Sequence, residues 1–429
     1  MAIRQFFKEG LRDIFVPVSS NFSGLDGLRG FASCIVLFYH CALFMGFIAD
    51  LNHIKPGGGQ YEWIIRFCNG FWSGIDIFFV LSGFLIGRML IRDLSTERKM
   101  YYVPFLIRRS FRIFPAYYLV VTISLFVIAP LGIPAFNFLY MTTDWNDLFS
   151  VSWANYLYLV NYVRPGNQPS VLSWGWSLCV EEHFYILLPP LLWLLYRFRS
   201  KSAGLIGLIL LVLIPLLSRG LQYLADPSLR LLEGFYYYSH NRFDELFVGV
   251  LIAYLYVIHR QGLERVCKKF GGLLGVLGLC GAASVWIYGG LTRGGAFPVV
   301  FQFSVMAYST GLVLLNILFV DNAITRFFSH RYWYPLARIS YGTYLVHMFV
   351  LFGLMQLFMN YFGHANFTPV WLFVFYVLLL LISSIIAGLM FILVEAPLLN
   401  YGAKVAAKYR QKAKVRAGLI DRPTDLASS

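Results

Sequence analysis

Apolar segments of spanning length recur ten times along this chain, near residues 27–48, 70–91, 113–133, 172–196, 203–224, 238–258, 271–291, 296–319, 334–358 and 370–395. A helix of about 20 apolar residues crosses a bilayer, and only helices or closed barrels satisfy their backbone groups there. Composition agrees, because 13% of the 429 residues are charged, against about 25% in ordinary soluble domains. No water-soluble surface can be built from that. The expected fold is all-α, a polytopic integral membrane protein with about ten transmembrane helices. A further apolar stretch, 148–162, is short and reads as re-entrant or interfacial.

Lys and Arg total 35 against 21 Asp and Glu, a net charge of +14. In a soluble protein that excess points to nucleic acid. Here the basic residues fall in short loops, where they set orientation, and no nucleic-acid partner is expected. Most lie on the side of the N-terminus, from Arg4, Lys8 and Arg12 through Arg88 to Arg112 and on to the tail. Lys55, Arg66, Arg164, Arg219, Arg230, Arg242 and Arg293 fall on the far side. Both termini are therefore expected in the cytosol. The first twenty residues lack an apolar h-region and a cleavage site, and read as a partly amphipathic leader. The division is a leader over 1–23, a transmembrane domain over 24–397 and a basic cytosolic tail over 398–429. Cys34, Cys41, Cys68, Cys179, Cys267 and Cys280 are scattered, without C-x-x-C pairs or histidines at zinc spacing. Neither a metal nor a disulfide framework is indicated.

A charged side chain at mid-bilayer costs about 2.5–3.5 kcal/mol on insertion scales, so each one needs a reason. The first span reads GLDGLRGFASCIVLFYHCALF. Arg29 and His40 are eleven positions apart, within about 20° of three full turns, so they share a face and sit roughly 16 Å apart along the axis. Asp26 and Ser33 lie near the same face. A cation near the cytosolic mouth and an imidazole near mid-membrane, on one stripe, point to function over a snorkelling arginine and a core histidine. The apolar run around His40 favours the neutral imidazole that a general base needs.

In the second span, GIDIFFVLSGFLIGR, Asp76 sits at the outer end, placed to pair with a cation or orient a catalytic group. Ser82 and Gly83 read as a kink or close-packing point. In YYVPFLIRRSFRIFPAYY, Arg109 and Arg112 are i, i+3 neighbours, and Arg108 and Arg112 are i, i+4. Topology alone does not require so tight an R-x-x-R, and guanidinium forks suit phosphate. A phosphate-bearing ligand at the cytosolic face is expected. The fourth span opens SWGWSLCVEEHFYILLPP. Trp174, Ser177, Glu181 and Tyr185 share a face, from which Glu182 and His183 rotate away. The adjacent carboxylates call for a cation such as Arg29, Arg109 or Arg112. Later, Ser340, Tyr344 and His347 align on one face, Glu395 closes the last span, and Arg242, Asp244 and Glu245 open an outer helix. For His347, Asp244 and Glu395 a structural role leads.

Taken in order, LDGLRGFASCIVLFYH, GIDIFFVLSGFLIG, RRSFRIFPAYY, WSLCVEEHFY, SYGTYLVH and the closing VEAP resemble the membrane acyltransferase 3 family, over roughly residues 24 to 397. The family's Arg-x10-His falls on Arg29 and His40, its R-x-x-R on Arg109 and Arg112, and the acid of its W-S-L-x-x-E block on Glu181. The resemblance implies a stand-alone enzyme of the cell membrane, without a fused extracytoplasmic hydrolase-like domain. It implies transfer of an acyl group, usually acetyl, from cytosolic acyl-CoA to a hydroxyl of a carbohydrate or similar acceptor. Acyl-CoA, acetyl-CoA above all, enters as donor substrate, and no resident cofactor is expected. CoA phosphates would rest on Arg109 and Arg112, with Arg29, and the pantetheine arm would run towards His40. The imidazole would serve as general base, a role worth 10²–10⁴-fold, or carry the acyl group itself. Glu181 or Asp76 would orient or charge-balance the site. The expected partners are a carbohydrate or lipid-linked glycan acceptor and the bilayer. A small-molecule acceptor is the alternative. A transporter or flippase is the rival class, but transporters often carry internal repeats, and this sequence shows none.

Overall fold

Lipid offers backbone groups no partner, so each apolar segment closes its own hydrogen bonds and becomes a helix. The computed structural model describes residues 2–17, 22–51, 67–68, 70–163, 168–197, 200–229, 231–288, 290, 295–362 and 369–416. These are helical almost throughout, and no strand occurs among them. The principal helices are α1 (Ala2–Phe15), α2 (Ser23–Leu51), α3 (Gly74–Glu97), α4 (Tyr102–Ile123), α5 (Trp145–Tyr156), α6 (Trp176–Arg197) and α7 (Lys201–Ala225). They continue with α8 (Ser239–Ile258), α9 (Arg260–Tyr288), α10 (Gln302–Phe319), α11 (Trp333–Phe362), α12 (Pro369–Met390) and α13 (Ala396–Arg416).

Among the described residues, 8 helices are long and apolar enough to cross a membrane. The two remaining expected segments are also helices, α2 and α8. Arg242, Asp244 and Glu245 keep α8 from looking apolar, yet all three are buried inside the bundle. The outer faces confirm the setting. On α7, Leu217, Leu221 and Leu224 are 61%, 68% and 76% exposed, and α9 and α12 carry similar apolar faces. A soluble monomer rarely shows apolar patches of that extent. The protein is a multi-pass membrane protein.

The bundle is drawn together on α3. Val80, Phe84 and Ile86 are fully buried, and α3 packs along α8. Two glycines permit the approach. A Cβ on Gly83 would stand 2.0 Å from the Leu246 carbonyl oxygen, and one on Gly249 would stand 2.2 Å from that of Val80. Gly83 is thus the close-packing point expected from the sequence. Beside this pair, α2 packs on α3 and α11, and α11 on α12. A π-turn at Phe391–Glu395 joins α12 to α13 without a break, so the helix continues through residue 397. Along α13, Arg410 donates to Asp93 at 2.8 Å and Glu97 at 2.9 Å, tying it to the end of α3.

The stretch expected to be re-entrant or interfacial holds α5, whose 12 residues are too few to cross. Asp144 caps it, its carboxylate accepting from the Asn146 amide at 2.8 Å. Tyr117 and Tyr118 of α4 donate to the Asn155 and Tyr156 carbonyls at 3.0 and 3.1 Å and hold it against the bundle. Two far-side arginines are placed otherwise than expected. Arg219 and Arg242 are fully buried, because acidic partners on α3 and α8 receive them. The other far-side positions, Lys55, Arg66, Arg164, Arg230 and Arg293, lie outside the described residues, as does the tail beyond Arg416.

Candidate active site

Five helices far apart in sequence enclose a cavity of about 310 Å³. Volumes near 300 Å³ are the low end for small-molecule sites, enough for one arm of a large ligand and not for all of it. α2 contributes Arg29, and α4 contributes Arg109 and Arg112. Their spacing on α4 puts both on one face, while Arg108 turns away and meets Met89 Sδ at 3.7 Å. The expected trio of α4 arginines is therefore a pair, with Arg29 as its third member.

On α6, Ser177, Glu181 and Tyr185 line the cavity together, as their helical spacing requires. Tyr185 donates its hydroxyl hydrogen to Glu181 Oε2 at 2.8 Å. The 3.0 Å contact between Ser82 and the Tyr185 oxygen is therefore donated by Ser82. The Arg109 guanidinium carbon lies 5.3 Å from the centroid of the Tyr185 ring. At the opposite end, Ser177 Oγ and the Tyr344 hydroxyl are 2.7 Å apart, and Tyr344 also donates to the Trp174 carbonyl.

The charge count decides what this lining can hold. Three guanidiniums face one carboxylate. Among the described residues, none of the three is in an ion pair. Arginine forks in excess over carboxylate in a partly closed space have the geometry that suits an anion such as phosphate.

His40 does not itself line the cavity. It stands behind Tyr344, through His347. The His347 ring lies 5.5 Å from the Tyr344 ring and 4.8 Å from that of His40. The two histidines approach at 3.3 Å, Nε2 of His347 to Nδ1 of His40. His347 is fully buried, and His40 is half-buried. Local sequence showed Ser340, Tyr344 and His347 on one face of α11. It did not show that this face meets α2.

Asp76 is placed away from the expected catalytic group. It is fully buried against Arg242, which donates to it from Nη2 and to Glu245 from Nε at 2.9 Å. Beside them Arg219 holds Asp244 with Nη1 at 3.1 Å and Nη2 at 2.7 Å. Asp76 faces Arg242, and none of the cavity arginines is its partner. Glu182 also stands apart from Glu181, and its Oε1 has no hydrogen-bond partner. Among the described residues no group of three His, Cys, Asp or Glu is placed to hold a metal ion.

A family model described as an acyltransferase domain, the type 3 acyltransferases, matches residues 22–389. The chain belongs to this acyltransferase family. It is 30% identical over 257 residues to the putative peptidoglycan O-acetyltransferase YrhL of Bacillus subtilis, which covers 57% of this chain and 35% of that protein. It is 24% identical over 399 residues to the O-acetyltransferase OatA of Staphylococcus aureus, covering 90% of this chain and 58% of that protein. The peptidoglycan O-acetyltransferase OatA of Listeria monocytogenes is 26% identical over 346 residues, covering 75% and 48%. The chain thus matches under two thirds of the length of each of these relatives. No solved structure matches it. The membrane bundle thus carries an acyltransferase domain.

Proposed function

We propose that the protein moves an acetyl group from acetyl-CoA, taken up at its basic end, to a hydroxyl of a cell-surface glycan of the peptidoglycan type. The observation that carries this reading is the cavity's excess of guanidinium over carboxylate, with its far wall one side chain from His40. CoA is the acyl donor whose phosphates suit such a cluster. Its nucleotide would rest at the mouth on Arg29, Arg109 and Arg112, with the pantetheine arm in the cavity. His40 takes the proton of the acceptor hydroxyl on its free ring nitrogen. The oxygen attacks the thioester carbonyl, and the C–S bond breaks as the ester forms. The imidazolium returns its proton to the departing thiolate. Glu181 and Tyr185 hold Arg109 in place.

The peptidoglycan O-acetyltransferases among its relatives support a glycan acceptor and an acetyl donor. The bias of basic residues towards the N-terminal side supports a cytosolic mouth and, with it, the plasma membrane. The test is mass spectrometry of peptidoglycan from cells with and without the gene, beside transfer from radiolabelled acetyl-CoA by purified protein in nanodiscs. Acetyl esters that depend on the gene and on His40 are expected. Unchanged muropeptides together with absent acetyl-CoA turnover would overturn the proposal.

A further inference from the structure

His40 and His347 meet across two helices, and the hydrogen bonds around them fix both tautomers. A carbonyl oxygen only accepts. Nδ1 of His40 lies 2.9 Å from the Val36 carbonyl oxygen, so it carries a hydrogen. Nδ1 of His347 lies 2.7 Å from the Tyr344 carbonyl oxygen, so it carries one too. Nε2 of His347 is then bare and presents its lone pair to the Nδ1–H of His40 at 3.3 Å. That hydrogen is shared between a carbonyl and an imidazole. Nε2 of His40 is left as the free base.

We infer that His347 is the positioning residue of the acyl transfer, holding His40 in the Nδ1–H tautomer and steadying the imidazolium that forms when Nε2 takes the acceptor's proton. This rests on the reading of His40 as the base. A charge on the His40 ring spreads to Nδ1–H, and a hydrogen bond from an ionised donor is roughly twice as strong as a neutral one. The pair therefore tightens when His40 is protonated and relaxes when the proton leaves for the thiolate. A neutral imidazole serves here where an acid commonly orients a catalytic histidine. In this apolar setting no carboxylate has to be desolvated. Tyr344 adds a mechanical link, since its carbonyl holds His347 while its hydroxyl closes the cavity beside Ser177.

The experiment has two arms on full-length protein in nanodiscs. In wild type labelled with ¹⁵N-histidine, with His40→Ala to assign the signals, His40 should show a protonated Nδ1 and a bare Nε2. A dominant Nε2–H tautomer would overturn the inference without any change at His347. Kinetically, His347→Leu should lower kcat ten- to a hundredfold while KM for acetyl-CoA stays within about twofold. His347→Gln, whose side-chain oxygen can accept from His40, should recover most of the loss. If His347→Leu keeps kcat within threefold while His40→Ala is inactive, the pairing is overturned and the base survives. If His40→Ala is itself active, the underlying mechanism fails instead.

Discussion

Arg242→Met probes whether the buried charges of α8 serve the fold or the chemistry. The guanidinium bridges Asp76 and Glu245, both fully buried, and its carbon lies 4.2 Å from the Phe303 ring centroid. Methionine keeps the apolar contact and removes the charge, leaving two carboxylates that face each other in hydrocarbon. Breaking a buried pair from one side costs about 3–5 kcal/mol, more than a hundredfold in the folded ratio. Two stranded acids place this variant at the upper end. Asp76→Asn acts differently. The network holds Asp76, Asp244 and Glu245 against Arg219 and Arg242, one negative charge in excess, and Asp76 Oδ2 and Glu245 Oε2 have no partner. Neutralising Asp76 balances the count and should be nearly silent. Thermal unfolding followed by fluorescence size-exclusion, with turnover measured per folded molecule, reads both quantities. Arg242→Met should unfold far below wild type, and Asp76→Asn/Arg242→Met/Glu245→Gln should recover most of the midpoint. Asp76→Asn should keep wild-type kcat. A folded Asp76→Asn variant with kcat reduced a hundredfold or more would return Asp76 to the reaction and refute this account.

Arg112→Ala should weaken acetyl-CoA binding about ten- to a hundredfold, as loss of a hydrogen bond to a charged group implies. Arg112→Lys should recover little of it if the contact is a fork, which isothermal calorimetry in nanodiscs checks. CoA at a hundred times its Kd should stabilise the wild type by about 2.7 kcal/mol, and Arg29→Ala should diminish the thermal shift. Gly83→Val drives a side chain into the Leu246 carbonyl and should cost at least the 1–3 kcal/mol of an overpacked core, seen as lost midpoint and yield. His40→Ala should abolish acetyl transfer at normal expression while leaving acetyl-CoA affinity near wild type, whereas an acyl-histidine route predicts labelled protein that disappears in the variant.

What could be read from the chain alone follows the range of the interaction. Spans were legible because the period and length of apolar runs are local. Arg109 with Arg112 on α4, and Ser177, Glu181 and Tyr185 on α6, were legible because helical spacing puts each set on one face. Arg219 and Arg242 were not, since counting basic residues in loops says nothing about acids that arrive on other helices. His347 shows the limit most sharply. It lies 307 positions from His40, and nothing in the sequence near either residue announces the other.

The two sets of buried charge in this protein obey the same electrostatics and end in opposite roles. Around α8, each guanidinium reaches a carboxylate within hydrogen-bonding distance, and Ser304 Oγ closes the Asp244 side with a 2.6 Å bond. Such a network leaves no cation free for a ligand. Around the cavity, three guanidiniums share one carboxylate, and that carboxylate already accepts from Tyr185. An excess of guanidinium over carboxylate in a bundle this apolar is costly, and a bound anion would offset it. α3 and α8, by contrast, close to glycine contact beside their paired charges. Under the proposed function, the donor's phosphates supply that missing counter-charge at the mouth, away from the histidine pair.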